Sequence, residues 1–269
     1  TFFNLLYKNH PYAHPVNGTQ QSITNIRRAD VVSFYKTYYN RNNALLVMVG
    51  ALPKERAIQI ANQLTNNLQD GAKAPAIAKA PDLKHQETQH VVFPSAQTVI
   101  RMGQPGIDHQ NPDYFPLMVG NYILGGGSLV SLLAHEVREK EGLSYGVSSQ
   151  LVSMPGRGPF IIGLSTRNKQ TQQALTITQQ TLSDFIKNGP TEEQLKAAKN
   201  YMTGSYPLSL TSNRDIASLL LRMSFYHLPD NYLDTYIQNV NKVSTSEVKQ
   251  AFQKHIHPDR MVLVTVGPK

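Results

Sequence analysis

The sequence predicts an α+β fold: two duplicated domains, each an antiparallel sheet covered by helices, with the first copy truncated. Three observations carry this. Short alternating strand signals at 89–93, 98–102, 145–152 and 160–166 sit between runs of helix-periodic residues, the pattern of helices packed against a sheet. Residues 23–50 align without a gap to residues 240–267. Each copy reads as a cap, a helix, a polar turn and an apolar strand ending in glycine. A repeat of this kind implies two related domains. The second copy has a long run of chain before it and the first has only 22 residues, so a long upstream part of the first domain is expected.

The elements follow in order. Residues 1–8 look like the end of a helix. His10 and His14 would share a helical face as metal ligands, but Pro11 and Pro15 forbid a regular helix, so a loop is expected. A helix over 29–39 leads to a buried strand at 44–49. Pro53 opens another helix, with Ala57, Ile60, Ala61, Leu64 and Leu68 as its apolar face. Residues 1–69 are thus read as the remnant of the first domain. Residues 70–88, rich in Ala, Lys and Pro at their start, read as a linker, and 89–269 as the second domain.

Within that second domain a helix is expected over 113–124. Gly125, Gly126 and Gly127 end it by taking positive φ, and Ser128 caps a new helix over 129–140. Val130, Leu133, Ala134 and Val137 form its stripe, and Gly142 stops it. Strands at 145–152 and 160–166 pair as a hairpin, whose loop at 153–158 is long enough to be mobile. Helices near 168–187, 191–205, 213–226 and 231–238 lead into the second repeat copy. There Ser244 and Glu247 match a capping box.

The 269 residues carry a net charge of +8 and no cysteine. Disulfides, thiolate metal sites and a cysteine nucleophile are excluded. Lys and Arg are scattered with no basic block, which argues against nucleic acid. No apolar run is long enough to span a membrane. His135-Glu136-Val137-Arg138-Glu139 mimics a zincin motif, but its final His is absent and no third ligand suggests itself. His255 and His257 fall at helix-end and turn positions. The glycine run meets neither the P-loop nor the dinucleotide spacing. Arg138 and Tyr145, at the end of a helix and the start of a strand, read on residues alone as a helix-end cation and a strand aromatic. The alternative is a pair of hydrogen-bond donors serving one site.

LGGGSLVSLLAHEVREKEGLSYGVSS, residues 124–149, resembles the second-domain signature of the pitrilysin/insulinase-type zinc metallopeptidases. This inverzincin family includes proteins like the mitochondrial processing peptidase. Residues 10–23, 104–114 and 189–199 resemble other segments of the same family in the same order. The resemblance implies two homologous α+β domains enclosing a chamber for peptide substrates. It implies a zinc-dependent metalloendopeptidase whose H-x-x-E-H motif lies on a first-domain helix. This chain has no H-x-x-E-H, so the resemblance implies that zinc is held by an upstream half or by a partner subunit, in a homodimer or heterodimer. No metal ligand is assigned within this chain, and the chain alone is expected to be inactive.

By the R-E-K-x-G-L-x-Y pattern, Arg138 and Tyr145 are implied to stabilise the substrate carbonyl; Gly125, Gly126 and Gly127 are separately expected to contact substrate. The same resemblance leaves a second expectation, a non-catalytic homologue acting as a partner or structural subunit. Family habit suggests a periplasmic or secreted bacterial protein.

Overall fold

A computed structural model describes all residues, 1–269. The chain divides into two compact units. One comprises Thr1–His14, Ala78–Gly204 and Asp234–Lys269; the other comprises Pro15–Ile77 and Ser205–Leu233. In chain order the helices and strands are α1 (Phe2–Tyr7), α2 (Gln20–Asn25), α3 (Arg28–Tyr38), α4 (Lys54–Thr65), β1 (Glu87–Val92), β2 (Gln97–Pro105) and α5 (Tyr114–Asn121). There follow β3 (Ser144–Leu151), β4 (Pro159–Arg167), α6 (Thr171–Asn188), α7 (Glu192–Leu208), α8 (Asn213–Phe225), α9 (Tyr232–Lys242), α10 (Thr245–His255) and β5 (Val262–Gly267). No helix is long and apolar enough to cross a membrane.

The first unit is a five-stranded sheet in the order β1-β5-β2-β4-β3, covered by helices. β3 and β4 form an antiparallel hairpin, β2 pairs antiparallel with β4, and β5 joins antiparallel to β2. The expectation of a purely antiparallel sheet fails at one pair: β5 runs parallel to β1. The chain between these two strands is long and carries the three other strands and several helices, so it has ample length for the crossover that a parallel pair requires.

Alternation decides what each face of the sheet does. Ile100 and Met102 of β2 and Phe160, Ile162 and Leu164 of β4 point into the helical layer. There they join Leu117, Leu182, Phe185 and Phe252 in one core. Val262 and Val264 of β5 point the other way and pack with Phe2, Leu6 and Tyr7 of α1 and with Ala80 and Leu83. Residues 1–14 therefore fold with the sheet.

The loop at 153–158, expected to be free enough to move, is fastened instead. Arg157, at φ 69°, donates to the carbonyls of Gly106 (2.8 Å) and Ala80 (3.1 Å) and to the Asp82 carboxylate (2.7 Å). The Tyr7 hydroxyl donates to the Arg157 carbonyl (3.0 Å), and burial pushes the Tyr7 phenol well above its usual range.

In the second unit the repeat is visible element by element. α3 occupies the positions that α10 occupies in the second copy, and the single turn at Arg41–Asn43 matches that at Pro258–Arg260. The Asp30 carboxylate accepts from the Arg27 N–H (2.8 Å) just as Glu247 accepts from Ser244 (2.7 Å). The final strand differs. Residues 44–49, expected as a buried strand, form none and are mostly exposed, whereas their counterparts form β5. A strand needs a neighbour to take its backbone groups, and the only β contact in this unit is one bridge, Asn40 to Gln69. The helix face changes in the same way. Val31 and Tyr35 are 57% and 54% exposed, while the matching Val248 and Phe252 of α10 are 0% exposed.

Two outcomes follow from the packing of α5. A Cβ on Gly120 would stand 2.4 Å from Cε2 of the fully buried Phe252. Gly120→Ala should therefore destabilise by roughly 1–3 kcal/mol through overpacking, reversing the gain of about 1 kcal/mol that alanine brings to an open helix position. Urea unfolding measures the sign. Asp113, before the first turn of α5, accepts from Lys254 Nζ and His255 Nε2 (2.7 Å each). These bonds, the lysine's first, hold its carboxyl below the usual range. The unfolded chain then binds the proton more readily, so this stabilisation is complete above the unfolded carboxyl pKa of about 4 and is lost as pH falls through the lower folded value. Asp113→Asn should be less stable than the parent at pH 6, and the gap should close in acid.

Candidate functional site around Arg138 and Tyr145

The site begins where α5 does not stop. It runs into a π-helical turn, Tyr122–Gly126, and the three glycines do not take positive φ as expected: Gly127 sits at φ −75°. Ser128, at φ 55°, makes the left-handed step. Close packing accounts for the glycines instead. A Cβ on Gly125 would lie 2.5 Å from the Ser149 nitrogen, and one on Gly127 would lie 2.9 Å from the Tyr122 carbonyl oxygen. Gly126 is exposed beside them.

The next helix starts three residues later than predicted. A single turn at Ser128–Val130 leaves Val130 79% exposed and outside the stripe. Ser131 is the cap. Its Oγ accepts from the Ala134 N–H (3.4 Å) and donates to the Ser128 carbonyl (2.7 Å), whereas Ser128 makes no side-chain cap. From Ala134 to Lys140 the helix is π-helical, with Ala134 and Val137 buried. Gly142, at φ 61°, ends it, its N–H donating to the Arg138 carbonyl (3.1 Å). Arg138 is left half-buried near that end.

Tyr145 is placed by a β-bulge. The register of β3 on β4 shifts between Ser144 and Val147. Ser144 Oγ holds the bulge by donating to the Ser165 carbonyl (2.7 Å) and accepting from the Gly146 N–H (3.2 Å). Bulges re-aim side chains, and this one projects Tyr145 outward, 90% exposed. The Arg138 guanidinium carbon lies 5.4 Å from the Tyr145 ring centroid, a cation–π contact. Neither side chain is engaged in a hydrogen bond or ion pair within the chain, so the guanidinium N–H groups and the phenol stand side by side as uncommitted donors. Such a pair can serve an oxygen acceptor that gains negative charge.

The other candidates are occupied. His135 lies 3.3 Å from Glu139 and 3.9 Å from Glu136, and Glu136 forms an ion pair with Lys140 (3.1 Å), so these side chains engage one another on the helix exterior. His10 accepts from the Tyr12 N–H through Nδ1 (3.2 Å), and its Nε2 lies 2.7 Å from the Ala78 carbonyl oxygen. His255 is bonded to Asp113. No group of three or more His, Asp or Glu side chains is placed to hold a metal ion.

One feature escaped the sequence reading. On the sheet face opposite the helical core, a trough of about 320 Å³ is lined by Arg101 of β2, Gly146, Ser148 and Gln150 of β3, and Gly163 and Ser165 of β4. Its signal was present as a cation inside the apolar run Val99-Ile100-Arg101-Met102 and a glycine inside Ile161-Ile162-Gly163-Leu164.

Comparison with known proteins bears on this geometry. Residues 25–202 match the family described as "Peptidase M16 inactive domain". The crystal structure of a peptidase M16 inactive domain from Pseudomonas fluorescens superposes with a TM-score of 0.94 at 38% identity, over 100% of this chain and 64% of that one. The "Non-peptidase homolog YmxG" of Helicobacter pylori is 26% identical over 98% of this chain and 61% of its own length. The "Uncharacterized zinc protease YmxG" of Bacillus subtilis is 25% identical over 97% and 63%. The chain thus spans less than two thirds of the curated relatives it matches.

Because Tyr145 is exposed and its hydroxyl bonds to nothing in the chain, Tyr145→Phe should leave stability within about 0.5 kcal/mol. Arg138→Gln should cost no more than about 1 kcal/mol, the worth of an exposed cation–π contact. Thermal melts of both variants check that the pair is not structural.

Proposed function

This chain belongs to the peptidase M16 inactive-domain family, and from that premise we propose that it is the C-terminal part of a zinc-dependent metalloendopeptidase. In this reading the whole protein hydrolyses peptides in a chamber between two homologous domains, and this part supplies stabilisation of the substrate carbonyl. The single observation that carries it is the uncommitted Arg138–Tyr145 donor pair held by a π-helix and a bulge. Nucleophilic attack on a peptide carbonyl builds charge on its oxygen. A donor aimed there is worth roughly 2.7–4 kcal/mol. Arg138 offers a permanent charge and several N–H donors, Tyr145 one O–H. Gly126, exposed at the turn, offers the most accessible backbone of Gly125, Gly126 and Gly127 for contact with substrate.

No side-chain cluster of this chain fits a zinc ion, so zinc belongs to residues outside these 269, in an upstream half or in a partner subunit bearing H-x-x-E-H. The uncovered apolar face of α3 and the unpaired residues 44–49 support the domain scheme. In that scheme residues 1–69 would be the end of a first domain, 70–88 a linker and 89–269 the second domain, with residues 1–14, Ala80 and Leu83 packed on the second domain's sheet and β1 beginning at Glu87, inside the linker. The covering elements would come from sequence equivalent to β1 through α6. A periplasmic or secreted location completes the proposal and rests on family resemblance alone.

A second reading is favoured by the "Non-peptidase homolog" name of the Helicobacter pylori relative: a non-catalytic homologue acting as a partner or structural subunit. One set of measurements separates the two. On the first reading, the full-length protein binds zinc and cleaves peptides in a chelator-sensitive manner, and residues 1–269 alone do not. Tyr145→Phe then lowers kcat about 10²-fold with a smaller change in KM. A full-length protein with no zinc and no hydrolysis leaves the second reading.

A further inference from the structure

We infer that the sheet trough around Arg101 is a carboxylate-binding subsite for peptides; this rests on the reading of the chain as a peptide-binding domain. Arg101 is exposed on the face opposite the helical core and is engaged in no hydrogen bond or ion pair within the chain. Its neighbours across the sheet are Val264 on β5 and Gly163 on β4, and Gly163 in turn pairs with Ser148 on β3. The polar groups of the lining are Arg101, Ser148, Gln150 and Ser165, and no acidic side chain is among the lining residues. The side chains of all four are free of bonds within the chain. A fork of guanidinium donors beside neutral hydroxyl and amide groups, with no competing anion, matches a carboxylate.

Gly163 points to an occupant independently. Glycine weakens a strand interior, and it survives there where a bulge, a bend or the close approach of another group requires it. Gly163 lies in regular pairing away from the bulge, has no positive φ, and a Cβ on it would meet nothing nearer than the Ile100 carbonyl oxygen at 3.9 Å. The fold does not demand this glycine, whereas a ligand lying over it beside Arg101 does.

The trough begins at Gly146, the residue after Tyr145. Arg101 lies two strand spacings, roughly 10 Å, across from Ser148 of β3, and Ser148 is three residues beyond Tyr145, so an extended peptide covers the diagonal from Tyr145 in about four residues. A peptide whose carbonyl meets Arg138 and Tyr145 would therefore place a carboxylate about four residues away on Arg101. That carboxylate belongs either to an acidic side chain or to the peptide C-terminus.

Fluorescence anisotropy on the 269-residue chain tests this with three labelled peptides of one neutral sequence. One is amidated, one is amidated with a single Glu, and one has a free C-terminus. At least one carboxylate peptide should bind tenfold or more tighter than the neutral amide, and which one identifies the source. The preference should shrink with added salt. Arg101→Gln should abolish it with an unchanged melting temperature, and Gly163→Val should abolish it by filling the trough. Equal binding of all three peptides, or a preference that survives Arg101→Gln, overturns the inference. The measurement needs no zinc, so its failure leaves the proposed proteolysis standing. Absence of hydrolysis by the full-length protein, with the carboxylate preference intact, would overturn the proteolysis alone.

Discussion

The first unit depends on where its last strand goes. β5 lies between β1 and β2, parallel to one and antiparallel to the other, so the C-terminal residues 262–267 complete the middle of the sheet. Its alternation serves both layers at once. Leu263 enters the helical core, and Val262 and Val264 hold α1 and Leu83 on the other face. Removing this strand would leave two separate edges, each with a row of unpaired backbone groups. α10 delivers it, and α10 is itself seated by Phe252 against Gly120 of α5. One chain of contacts thus runs from the last strand through α10 to α5, and α5 continues into the π-helical turn that shapes the candidate site.

That site is built from two departures from regular geometry. A π-helix over Ala134–Lys140 and a bulge at the start of β3 are both deviations that regular packing does not need. Such irregularities recur at functional sites because they re-aim side chains that a regular element would point elsewhere. Here they bring a guanidinium and a phenol together and leave both uncommitted within the chain. The second unit shows the opposite situation. Its cap, helix and turn match the second copy of the repeat, yet the apolar residues that the second copy buries are open in the first.

Much of this was legible because it is local. Ser244 and Glu247 announce the start of α10, Gly142 the end of the site helix, and alternation the hairpin of β3 and β4. The Arg138–Tyr145 pair was legible through its motif. The errors share one cause. Ser128 and Ser131 are both fair caps, and choosing between them depends on how Gly125 packs under Ser149, a contact between residues far apart in sequence. Residues 44–49 have the pattern of a strand, but a pattern supplies no hydrogen-bond partner. Arg101 is a cation inside an apolar run, and only the sheet places it across from Gly163.

By itself, then, the sequence determined the α+β class, the repeat, the absence of thiol chemistry and the candidate donor pair. The first three rest on composition, periodicity or spacing along the chain, and the donor pair rests on the family resemblance of its motif. Tertiary structure alone decided that β5 runs parallel to β1, that the glycine run is set by packing rather than by φ, that the loop at 153–158 is tied down, and that a cationic trough opens on the sheet. The physical reason is common to all four: each depends on which distant residue comes to lie within a few ångströms, and spacing along the chain does not contain that distance.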